Sequence, residues 1–193
     1  MFVAVVPPPQ VTEELDDFLA SRREAGAGLR WSDPDQFHVT LAFLPAVPDR
    51  SLDALIDGLG EAAGRRGAFA IRLRGGGAFP SPYAARVLFA DVADEAGHLP
   101  PLARAVRAAA NHAGAAPDGG RFRGHLTLAR SRQPVEATRW LRILDTFESP
   151  GWVVEDVALV ASHLGEGRER RPRYETVARL PLRPVGGSAT ITP

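Results

Sequence analysis

The chain contains no cysteine. That excludes a disulfide framework and any metal site built on thiolates. Lysine is absent too, so all 23 basic residues are arginine. Arginine is the better fork for phosphate, but beside so many Ala and Gly its exclusive use reads as a GC-rich coding bias. Net charge is also missing, with 23 basic residues against 23 acidic ones. Bulk attraction to a polyanion is thereby excluded, and any nucleic-acid site has to be a local patch. No stretch approaches the roughly 18 apolar residues of a membrane span. The opening MFVAVVPPP is apolar, but no basic segment precedes it and prolines end it, unlike a secretory leader. The expectation is a cytoplasmic monomer with no membrane association, no metal and no cofactor.

What is present is an ordinary globular balance, 45% hydrophobic and 24% charged over 193 residues. That length suits one domain or two small lobes sharing a core. MFVAVV reads as a buried strand. TEELDDFLASRREAG reads as an amphipathic helix, with Thr12 placed to cap it and Gly26 to stop it. FHVTLAFL alternates and is rich in β-formers, so it is a strand. SLDALIDGLGEAA is a helix, and FAIRLRGGGAFP and RVLFADV are strands around an SPYAA loop. LPPLARAVRAAANHAG is a helix, GHLTLAR a strand, and VEATRWLRILDTF a helix with Pro134 near its first turn. WVVEDVALVAS and YETVARLPL close the chain as strands, before a Pro/Gly/Ser-containing tail.

Two of these strands carry the same four-residue pattern. His-x-Thr-Leu occurs at His38 in FHVTLAFL and again at His125 in GHLTLAR. Chance supplies the pattern on the order of once in ten thousand positions at ordinary composition, so two copies in this chain are not accidental. Alternation puts His38, Thr40 and Ala42 on one face of a strand and Val39, Leu41 and Phe43 on the other. His125, Thr127 and Ala129 likewise oppose Leu126 and Leu128. The bulky faces suit a core under helices. The His/Thr faces suit the walls of a cleft in an α+β protein of two lobes. Two imidazoles near neutral pKa are what acid–base chemistry on a phosphoester needs. The threonine hydroxyls can donate to non-bridging phosphate oxygens.

On these motifs the chain resembles the 2H phosphoesterase superfamily, in its RNA 2′,3′-cyclic phosphodiesterase branch, also called 2′-5′ RNA ligases. FVAVVPP, GGGAFPSPYAARVLFADV and VALVASHLGEG…YETVARLPL resemble further strands of that family, so the likeness covers about residues 1–182. The resemblance implies two pseudo-symmetric lobes, each an antiparallel sheet with helices on its outer face, flanking a central cleft. Residues 1–182 would form that single bilobal domain and residues 183–193 a mobile tail. It implies His38 as proton donor and His125 as proton acceptor, with Thr40 and Thr127 holding the phosphate. Arg130, which follows the second motif as in the family, becomes a candidate phosphate or substrate contact, and Tyr174 is a second candidate from its place just beyond the basic RERRPR run. The substrate would be an RNA or nucleotide ending in a 2′,3′-cyclic phosphate. Pattern alone leaves the donor/acceptor split open. Strict alternation turns Arg130 away from His125, so that contact requires a strand end or a twist. Gly124 stands where the family commonly has proline. His163 stands where arginine is common, which puts an accessory substrate contact in doubt.

Other features have blander readings. His98, His112 and His163 belong to no motif and read as surface or helix-packing residues. Gly75-Gly76-Gly77 lacks the lysine and hydroxyl of a phosphate loop and reads as a strand kink or bulge. Trp31, Trp140 and Trp152 read as core, and Phe37 and Phe43 read as core before base-stacking platforms. RERRPR is a basic loop, able to grip an RNA backbone but usually just solvated. Other functions stay open: 2′-5′ ligation by the reverse reaction, a nucleotide- or RNA-binding module without turnover, and a metal hydrolase. The last is disfavoured by the lack of any His-x-His or His-x-x-x-His pair.

Overall fold

The opening run FVAV offers no polar position to water, and it forms a strand buried at every residue, β1 (Phe2–Val5). The structure, a computed structural model, describes residues 1–24, 28–167 and 172–184. Prolines after Val5 end the strand, and Pro9 opens helix α1 (Pro9–Arg23). Proline fits that first position because its missing N–H would have no partner there. The helix therefore begins ahead of the Thr12 signal, and the Thr12 hydroxyl bonds the Pro9 carbonyl at 2.8 Å inside the first turn. Gly26, expected to stop the helix, lies outside the described residues.

Strands β2 (Arg30–Trp31) and β3 (Val39–Phe43) follow, then helix α2 (Leu52–Gly64), β4 (Phe69–Phe79), β5 (Ala85–Ala93) and helix α3 (Leu99–His112). The chain closes with β6 (His125–Val135), helix α4 (Thr138–Leu144), β7 (Trp152–Val154), β8 (Asp156–His163) and β9 (Arg173–Pro181). One expectation fails here. Pro134 does not start α4 but lies in the exposed end of β6, where a missing N–H costs no ladder bond. The helix instead begins where the Glu136 carboxylate accepts the Thr138 N–H at 2.8 Å. The glycine run behaves as expected of a bulge: pairing of β4 with β5 slips between Leu73 and Gly76, and Gly75 has φ +70°.

The protein is α+β, built on one antiparallel sheet ordered β7-β4-β5-β6-β3-β1-β8-β9, with β2 added alongside β6. Read outward from the middle, the order is pseudo-symmetric. Each His-x-Thr strand lies at the centre, flanked on its outer side by three further strands. The halves meet at the single pair Val39–Leu126. They also exchange helices. α1 leaves β1 in the first half and packs toward the second, where Phe18 meets Phe147 with centroids 4.8 Å apart. α3 leaves β5 in the second half and packs on α2 and β3 in the first. Beyond β9, Leu182 is buried, and Arg183, expected in the tail, exchanges backbone bonds with Arg66 and Ala68. Residues 185–193 lie outside the described ones.

Candidate active site

Val39 and Leu126 are fully buried, whereas His38, Thr40, His125 and Thr127 are half-buried. The two faces expected from alternation are thus separated by burial. Counting one residue each way from the antiparallel pair Val39–Leu126 sets His38 opposite Thr127 and Thr40 opposite His125. The two motifs interlock head to tail. Thr40 and His125 also line one small cavity of about 140 Å³, together with Phe43 and Arg123.

Each imidazole is held in the same way. Nδ1 of His38 donates to the Gln36 carbonyl at 2.7 Å, and Nδ1 of His125 donates to the Arg123 carbonyl at 2.8 Å. A carbonyl only accepts, so Nδ1 carries the proton and Nε2 is the nitrogen left for a ligand. Each ring is also packed by aromatics from other strands of its own half. His38 stacks on Phe2 at 4.5 Å and meets the edge of Tyr174 at 5.6 Å. His125 meets the edges of Phe79 at 5.1 Å and Phe89 at 5.2 Å. Gln36 further ties the approach to His38 to the start of β9, through Nε2 to the Pro172 carbonyl at 2.7 Å.

Arg130 does reach this face, and a bulge is the reason. Phe89 pairs with Thr127 but Leu88 pairs with Ala129, so β6 carries one extra residue there. Leu128 and Ala129 are consecutively buried, and the alternation restarts with Arg130 on the His/Thr side. The same slip occurs in β3, between the pairs Ala4–Thr40 and Val3–Ala42. There the sixth residue is Phe43, 46% exposed, so the core reading holds for Phe37 and fails for Phe43. After identical bulges, one motif delivers a cation and the other an open aromatic ring.

Burial pushes the His38 imidazole down from 6.5 to about 4, helped by the charges of Arg130 and His125 and opposed by the Gln36 hydrogen bond. His125 is also lowered, by burial first and then by Arg123 and Arg130, while its carbonyl partner and Asp91 oppose this. Burial raises Tyr174, and Arg130 counters it. One guanidinium therefore acts on both histidines and the tyrosine. All six residues expected at the site lie on or against this face. Phe2, Phe79, Phe89 and Arg123 join the site without a signal in the sequence. Arg123 pairs with Asp91 at 3.0 Å and lies 4.8 Å above the Phe89 ring. None of these four belongs to a repeated pattern.

The remaining histidines lie apart. His98 precedes α3, with its backbone N–H on Asp94 at 2.9 Å. His112 ends α3. His163 bonds Glu175 at 3.1 Å near Arg173. Of the basic RERRPR loop, residues 168–171 lie outside the described ones.

Two apposed His-x-Thr pairs on one curled antiparallel sheet define a two-histidine phosphoesterase. The chain belongs to the LigT-like phosphoesterases: the family model described as LigT like Phosphoesterase matches residues 5–89 and 91–168. It is 34% identical over 190 residues to an RNA 2′,3′-cyclic phosphodiesterase of Thermus thermophilus, covering 95% of this chain and 90% of that one. It is 29% identical over 186 residues to a protein of the same name from Geobacillus stearothermophilus, covering 94% of this chain. It spans only 56% of the length of that relative. The crystal structure of TT0787 of Thermus thermophilus has TM-score 0.77 at 29% identity, covering 96% of this chain and 98% of that one. E. coli LigT complexed with 3′-AMP has TM-score 0.71 at 25% identity, covering 94% and 96%.

Proposed function

We propose that the chain hydrolyses RNA 2′,3′-cyclic phosphodiesters to 2′-phosphomonoesters without a metal. His125 takes a proton from water through Nε2 as the water oxygen bonds to phosphorus. The bond from phosphorus to O3′ breaks, and His38 gives O3′ its proton. Thr40 and Thr127 donate to the non-bridging oxygens, and Arg130 neutralises their charge. A strained cyclic diester monoanion suits this pair, since one acid and one base serve both ends of the displacement.

The observation that carries this reading is the head-to-tail pairing of the two motifs, with both Nδ1 atoms engaged by carbonyls. It leaves two Nε2 atoms and two hydroxyls for one small anion. The substrate class is taken from the two RNA 2′,3′-cyclic phosphodiesterases to which the chain is similar. Burial and Arg130 keep both imidazoles neutral at pH 7 in the free site. The acid's proton is then restored only as the phosphate anion enters, which couples protonation to substrate binding.

His38→Ala and His125→Ala are expected each to cut turnover of a 2′,3′-cyclic phosphate at least about 100-fold, with the folded CD spectrum kept and EDTA without effect on wild type. Full activity in either variant refutes the assignment.

A further inference from the structure

Beside the paired histidines runs a much larger groove of about 970 Å³, bounded by Arg23, Arg30, Trp31, Asp33, Arg130 and Arg132, among others. Arg130 lines it and also acts on both histidines, so the groove adjoins the His/Thr face at that residue. Its basic side chains are arranged at a cost. Arg30 and Arg130 are directly paired across β2 and β6, and like charges directly opposite each other are destabilising. Arg132 follows two residues on, about 7 Å along the strand, an interval comparable with that between successive phosphates of an extended single strand. Arg23 is paired with Asp16. Among the described residues, Arg30, Arg130 and Arg132 have no carboxylate partner within salt-bridge distance. Among the described residues that line the groove, Asp33 is the one acidic side chain. Unpaired arginines set opposite one another on an otherwise neutral protein are relieved by a run of anions.

A cyclic phosphate terminates the 3′ end of an RNA, so the rest of the strand lies on its 5′ side. In the hydrolase reading the His/Thr face takes the terminal phosphate, which leaves the groove for the rest of the strand. We propose that the arginine groove holds the phosphates of the nucleotides 5′ of that terminus, so that a single-stranded oligoribonucleotide is preferred over a mononucleotide. This inference rests on the hydrolase reading above for the position of the terminus.

The test compares kcat/KM for a 2′,3′-cyclic mononucleotide and a pentanucleotide ending in the same group, in wild type, R30Q/R132Q and R30E/R132E. Both side chains lie outside the proposed catalytic set. Wild type is expected to favour the pentanucleotide at least tenfold. The variants are expected to lose that preference while keeping mononucleotide turnover within twofold. The salt slope for the pentanucleotide should fall by about 1.4, at roughly 0.7 per phosphate contact removed from a single strand. Equal kcat/KM for the two substrates in wild type overturns the proposal, as does an unchanged preference in both variants. If wild type turns over neither substrate, the hydrolase reading fails, and the groove is judged by fluorescence anisotropy with a 3′-phosphorylated pentanucleotide. Binding weakened at least tenfold by R30E/R132E supports it, and unchanged binding overturns it.

Discussion

At the scale of single residues, the site is governed by one cation and two half-buried rings. Arg130 lowers both histidines, so Arg130→Gln should raise them in the free protein. The bell-shaped pH profile of kcat/KM, which reports the free enzyme, is expected to move toward higher pH in that variant as the rate falls. A profile that keeps its position would remove Arg130 from the electrostatics of the site. In wild type, the kcat profile should lie at higher pH than that of kcat/KM, because the bound phosphate anion favours the protonated rings. His38 also carries a stability signature. Its folded pKa of about 4 lies below the ordinary 6.5, so its contribution is complete above pH 6.5 and is lost as pH falls through 4. Between about pH 7.5 and pH 4.5, wild type is expected to lose roughly 2–3 kcal/mol more than His38→Gln. Urea denaturation at both pH values measures this, and equal losses would contradict it.

At the scale of elements, strand phase decides what reaches the cleft. Alternation made the His and Thr positions and the buried leucines readable from sequence, because the period of two holds from His38 to Thr40 and from His125 to Thr127. It failed for Phe43 and Arg130, because a bulge after each threonine resets the phase and no residue type announces it. It failed differently at Pro134, where a proline permitted at a strand's exposed end mimicked a helix start. The glycine run in β4 was readable as a bulge, but its second task was not. A side chain at Gly77 would overlap the Phe89 ring, and Phe89 both stacks on Phe79 at 4.5 Å and meets His125 edge-on. Gly77→Ala is therefore expected to cost about 1–3 kcal/mol by overpacking and to lower kcat by displacing Phe89 from His125. Unchanged stability with unchanged kcat would show that the ring yields freely.

At the scale of the whole molecule, the exchanged helices tie the two halves together, so the molecule is expected to unfold as one unit. A repeat of His-x-Thr suggested two lobes, and the sheet order has that symmetry. Sequence could not say which half each helix covers, since that depends on the crossovers of α1 and α3 and not on local periodicity. A measurable consequence follows from the tryptophans. Trp31, Trp140 and Trp152 belong to β2, α4 and β7, all in the second half. Fluorescence thus reports that half, while far-UV CD reports both. Their urea transitions are expected to coincide, and a separate earlier or later fluorescence transition would show that the halves unfold independently.

The same exchange sets the order in which the protein can be completed as it leaves the ribosome. The half that begins the chain has β1 and β3 early, receives α3 only after residue 112, and gains β8 and β9 last. The other half has α1 from the outset and closes with β7 at residue 154. The N-terminal strands must wait, with an apolar edge unpaired, for the final segment to be made. The half that starts first finishes last, and any truncation before β9 leaves the wall that carries His38 open.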